Sequence, residues 1–148
     1  MTFHPYKMNP NPKYWKDLSE EDFETACVLY KHSRAKSTLL HCHYMLEKIL
    51  KAILAQQNLL TDEDADHKLL ALAMKAFKKD YLSEHEIDFL REATRWHIEA
   101  SYPTDQYIYD ILEDDKLLKC DFEKSCQLYL KFRIFYASSE QKDGDIDE

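Results

Sequence analysis

The sequence predicts an all-α fold, an up-and-down bundle of about five helices, and two features carry that reading. Only one Gly (Gly144) and four Pro occur in 148 residues, three of the prolines before residue 13. Almost nothing therefore punctuates strands and hairpins between residues 13 and 100. The second feature is the stretch 36–57, KSTLLHCHYMLEKILKAILAQQ, an unbroken helical pattern. On a helix, Leu39, Cys42, Met45, Leu46, Ile49, Leu50, Ala52, Ile53 and Leu54 cover an arc of roughly 200°. One neighbour cannot bury so wide an arc, so two or more helices must pack around this one. His41, Glu47, Lys48 and Lys51 take the rest of the circumference and are expected in water, with Glu47 and Lys51 forming an i,i+4 ion pair.

The length fits one domain. It divides into an extended arm over 1–18, a helical bundle over 19–138 and a disordered acidic tail over 139–148. In the arm, Pro5, Pro10 and Pro12 oppose any helix before Lys13. Tyr6, Tyr14 and Trp15 make the arm adhesive, either for the protein's own helices or for another subunit. Ser19 reads as the N-cap of a first helix from about Glu20 to Lys31, with Glu20 and Glu21 in the first turn and Phe23, Ala26, Cys27 and Tyr30 on one face. After the central helix, 58–66 is a polar loop with several capping residues. Leu69, Leu70, Leu72, Ala73, Ala76 and Phe77 mark a short third helix, with His67 at its start, where a histidine bonding its neighbours is favoured over a ligand or base. Ser83 opens the fourth helix, and Glu86 completes a capping box with it. That helix is expected to reach about Ala100, because Pro103 disfavours helical geometry at Tyr102. Ile87, Leu90, Ala93 and His97 lie toward one face, and Phe89 with Trp96 forms a second apolar strip, which implies two partners, the core and either a second subunit or the N-terminal arm. Dimerisation is expected through helix surfaces that include this one. Residues 101–118 form an aromatic connection in which Tyr102, Tyr107 and Tyr109 either pack on the bundle or line a pocket. A final helix runs from about Lys119 to Ala137 with Phe122, Cys126, Tyr129, Leu130, Phe132 and Tyr136 inward. Arg133 falls inside that arc and must snorkel or pair with an acid.

Charge and cysteine usage bound the function. The formal net charge of −8 argues against a polyanionic partner, but residues 139–148 hold five acids and one Lys, and 61–66 hold four acids and no base. The rest of the body is neutral and has room for a local basic patch, at Lys75, Lys78 and Lys79 or at Arg91 and Arg95. The four cysteines include no C-x-x-C pair, and no signal peptide or long apolar run is present. The expected setting is the reducing cytoplasm, with no membrane association and with Cys27 and Cys42 as small core residues.

Three segments, in order, carry a family resemblance. Met45-Leu46-Glu47-Lys48-Ile49-Leu50-Lys51-Ala52 resembles the A-x-E-K-x-L-K-A signature in the second helix of HEPN domains, the helical nucleotide- and RNA-associated domains of prokaryotes and higher eukaryotes. His67-Lys68-Leu69 is similar to the H-x-L opening of their third helix, and Tyr102-Pro103-Thr104-Asp105 to their Y-P-D element. The resemblance spans about residues 15 to 138. It implies a connection at His32-Ser33, a structural role for His67, and two functional settings. One is partnership with a minimal nucleotidyltransferase, as in toxin and antitoxin pairs. The other is metal-independent cleavage of RNA through an Arg-x(4 to 6)-His motif, for which Arg91 and His97 have a matching spacing. In such a site His moves a proton at the ribose 2′-hydroxyl or the leaving oxygen while Arg holds the phosphate. Arg95, Tyr102, Asp105 and Tyr107 are the accompanying candidates for binding. On a straight helix Arg91 and His97 diverge by roughly 120°, so their convergence requires a deformed helix end or a second subunit. Ser101 stands where related sequences often have Arg, and Asp88, Glu92 and Glu99 compete for the two arginines.

The residues point to no cofactor and no metal ligand set. His41 and His43 are two apart on a helix and so point in opposite directions, with His43 read as a core histidine. No Gly-rich phosphate loop, serine nucleophile motif or carboxylate pair is present. The sequence thus leaves catalysis open between an RNA- or nucleotide-associated HEPN-like homodimer and a non-catalytic homodimeric module that binds a protein or small ligand.

Overall fold

The computed structural model describes residues 7–99 and 114–146. Helix α1 spans Pro12–Lys31, α2 Ala35–Gln56, α3 Leu69–Ala76, α4 Glu84–Thr94, α5 Trp96–Glu99 and α6 Asp115–Ile146, with a 3-10 turn at Asp62–Asp66 between α2 and α3. No strand occurs among the described residues. The all-α bundle is thus the observed fold, with α2 at its centre touching α1, α3, α5 and α6. All nine apolar residues assigned to the α2 arc are fully buried. Around them lie Ala26 of α1, Leu69 and Leu72 of α3, Leu90 and Ala93 of α4, Trp96 of α5, and Tyr129 and Phe132 of α6.

Aromatic pairs fix how the long helices lie. Tyr30 stacks on Phe122 at 4.2 Å, Phe23 stacks on Tyr129 at 5.1 Å, and Glu20 pairs with Arg133 at 2.9 Å. Residue numbers fall along α1 as they rise along α6, so these two helices are antiparallel. The Glu20 pair, together with a hydrogen bond from the Arg133 guanidinium to the Tyr129 hydroxyl, resolves the arginine inside the apolar arc.

Several boundaries differ from the sequence reading. Helix α1 begins at Pro12, within the segment read as an extended arm, because Asn11 caps it by accepting from the Lys13 amide at 2.9 Å. A proline in the first helical position has no amide to lose there. Ser19 is therefore interior and buried, its hydroxyl donating to the Lys16 carbonyl and lying 3.0 Å from the Tyr129 hydroxyl. Among the described residues before α1, Met8 and Asn9 dock on the protein itself, the Trp15 indole donating to the Asn9 carbonyl and the Met8 amide to Asp62, while Tyr6 lies outside the described residues. Helix α6 starts earlier than Lys119, its first amides held by Asp114, and it continues to Ile146, through most of the segment read as a disordered tail. Leu130, expected inward, is exposed. Phe77 ends α3 in extended geometry, and the capping box of Ser83 and Glu86 forms as expected.

The turns are made almost without glycine. Ser33, Asn58, His67 and Asp80 all take positive φ values of 57 to 75°. Ser33 breaks α1 from α2 at the expected place, and Asn58 ends α2 as its neighbour Leu59 donates back to the Leu54 carbonyl at 2.9 Å. No described helix is long and apolar enough to cross a membrane.

Candidate functional site: a buried histidine and carboxylate cluster

Helix α2 places His43, Glu47 and Lys51 at successive i,i+4 positions on one stripe. The ion pair between Lys51 and Glu47 forms at 2.7 Å, yet both side chains are buried, 5% and 3% exposed, where the sequence reading put them in water. The wide apolar arc explains this. With so little circumference left over, the edges of the polar strip are covered by α3, α5 and the Trp15 ring, over which the Lys51 ammonium sits at 5.0 Å.

Two further histidines converge on this stripe. Thr61 caps the 3-10 turn, Asp64 closes a capping box, and the turn ends at His67 in the left-handed region. That backbone turn directs the His67 ring onto Glu47, with Nδ1 2.7 Å from Oε2. Helix α4 stops at Thr94, Arg95 forms a turn, and α5 restarts at fully buried Trp96. The next residue, His97, stacks on His67 at 4.1 Å with ring planes 17° apart. Its ring also lies 5.5 Å from that of His43 and 5.9 Å from that of Tyr44. Thr94 ties the two approaches together, its hydroxyl accepting from the Leu69 amide and donating to the Leu90 carbonyl.

The electrostatics follow from burial. Loss of water pushes the His43 imidazole down to about 4, against the opposing pull of its bond to Ala93 and of Glu47. Burial and the neighbouring His67 hold His97 below the usual histidine value. Burial alone would raise the Glu47 carboxyl, but Lys51 and His67 outweigh it and hold the group below the ordinary glutamate range. The result is one buried carboxylate facing three imidazoles, of which His43 is closed off while His67 and His97 are partly exposed.

Of the residues proposed from sequence, His97 belongs to this group. Arg91 is exposed and makes its ion pair with Asp88 at 2.9 Å, and Arg95 pairs with Glu92 at 3.7 Å. Tyr102, Asp105 and Tyr107 lie outside the described residues. Lys75 is engaged by Asp64 at 2.8 Å, which removes it from a free basic patch. His41 and His43 do point apart, His41 toward Asp22 of α1 and His43 toward Ala93 of α4. The second apolar strip of α4 splits: Trp96 enters the core, and Phe89 lines a groove of about 530 Å³ against Asp121, Lys124 and Leu128 of α6. Missed as site members were His43, Glu47, Lys51 and His67. The available signal was that Glu47 and His67 both stand in the quoted motif segments.

A helical bundle with a polar stripe on its central helix, met by a histidine at the start of the third helix, defines the class. The HEPN domain family matches residues 12–129, and the chain belongs to it. No curated protein and no solved structure matches the chain. Membership associates the chain in general terms with nucleotides and RNA.

Proposed function

We propose that this HEPN domain binds RNA and cleaves it at a ribose 2′-hydroxyl. His97 takes the hydroxyl proton or supplies one to the departing 5′-oxygen, and Arg91 holds the phosphate under attack. The 2′-oxygen displaces the 5′-oxygen at phosphorus, so the products are a cyclic phosphate and a free hydroxyl. One observation carries the reading: His97 is partly exposed yet braced from behind by the His67 ring, which is itself bonded to Glu47. A proton-transferring group needs that combination of access and fixed orientation. A homodimer is part of the proposal, with Leu130 and Ile134, one helical turn apart and exposed on α6, as apolar surface for a second copy. A minimal nucleotidyltransferase is the protein partner that the family setting favours.

The test is cleavage of a mixed-sequence RNA by EDTA-treated protein, with His97→Ala and Arg91→Ala prepared identically. Loss of roughly 100-fold or more in rate with His97→Ala is expected, the usual contribution of a positioned acid or base. Equal rates in all three would favour the second reading, a non-catalytic binding module. The ion pair of Arg91 with Asp88 supports that alternative, since it occupies the guanidinium that a phosphate would need.

A further inference from the structure

His43 is wholly buried, and its Nδ1 lies 3.0 Å from the Ala93 carbonyl oxygen. A carbonyl only accepts, so Nδ1 carries the hydrogen and Nε2 is left as a bare lone pair. That Nε2 is buried without a hydrogen-bond partner and faces Glu47 Oε1 at 3.7 Å. Two acceptors thus confront each other in a place shielded from water, an arrangement that costs free energy unless a cation lies between them. The other carboxylate oxygen, Oε2, is held by Lys51 and by His67, each at 2.7 Å.

We propose that His43, Glu47 and His67 bind a divalent transition-metal ion of the zinc type. One ligand atom from each residue lies within 4.8 Å of the others. Ligands about 2.0–2.2 Å from a shared tetrahedral ion lie roughly 3.4 Å apart, so the widest separation here must shorten by about 1 Å as the side chains close on the ion. Two imidazoles and one carboxylate suit zinc and its neighbours and disfavour magnesium or calcium, which take oxygen ligands. Three protein ligands also leave a fourth position for water. The bond from His43 Nδ1 to Ala93 is the outer contact that fixes a ligating imidazole in its metal-facing tautomer. Entry is through His67, whose side chain is 40% exposed while Glu47 and His43 are closed off. This inference goes beyond the cleavage reading and rests on binding alone, so the two fail separately.

The experiment is titration of the EDTA-stripped full chain with zinc chloride, cobalt chloride and magnesium chloride, read by calorimetry and, for cobalt, by visible absorption. One zinc ion per chain is expected, with the cobalt bands of a four-coordinate site. His67→Ala, at a partly exposed position and checked for folding by circular dichroism, should weaken zinc binding by at least ~10-fold. His41→Ala, on the opposite side of α2, should bind as the parent does. Absence of zinc binding, equal zinc binding in His67→Ala, or magnesium binding as tight as zinc would overturn the proposal.

Discussion

Helix α2 carries the same kinds of side chain to two places, and they behave differently. Toward α1, Asp22 receives His41 on one carboxylate oxygen and Lys48 on the other, with both partners about a quarter exposed. Toward α3 and α5, Glu47 receives Lys51 and His67 on a single oxygen, and its other oxygen faces the lone pair of His43. In the first set each carboxylate oxygen has its own partner and those partners are partly exposed, so the cluster reads as a clasp between two helices. In the second, burial removes water before the polar atoms are all matched. Unmatched polarity in a closed place is what separates a site from a clasp.

The comparison breaks most directly through its two acids. Glu47→Gln should cost about 3–5 kcal/mol in urea denaturation, because it leaves the Lys51 charge buried beside a neutral amide. Asp22→Asn should cost about 1–2 kcal/mol, since its partners retain water. Equal costs would show that the two clusters are energetically alike. Next in size is the pH dependence of the metal-free protein. With the folded His43 pushed down to about 4 from an ordinary 6.5, the unfolded chain takes up a proton there before the folded one does. The stability that His43 contributes is therefore present above pH 6.5 and is lost as pH falls toward 4, by about 3 kcal/mol. His43→Gln should flatten that part of the profile, and an unchanged slope would mean that His43 is hydrated. The smallest effect belongs to Lys48→Ala, expected to shift stability by less than about 1 kcal/mol, as partly exposed pairs do. A larger loss would show that the clasp is tighter than its exposure implies.

Local signals carried most of the fold. The α2 core was readable because its apolar residues share one arc, and the start of α4 because Ser83 and Glu86 announce it within four residues. The start of α1 was misread because two capping signals competed, and Asn11 with Pro12 outweighed Ser19. The break at Arg95 has no glycine or proline to mark it; buried Trp96 holds the restarted helix in the core. The site was harder to see for a different reason. His43, His67 and His97 come from three segments joined only by tertiary packing, and a Glu and Lys four apart on a helix ordinarily face solvent. The breadth of the apolar arc was the clue that this pair would be covered.

The left-handed backbone at His67 has a consequence for how this protein can change. A residue with a Cβ in that region costs roughly 1–2 kcal/mol that glycine does not, and the bond from the His67 ring to buried Glu47 is what offsets that cost. The histidine stands there against the preference of its own turn. Glycine or asparagine at this position would relieve the turn and at the same time strip buried Glu47 of one of its two partners, so the turn and the cluster can only change together.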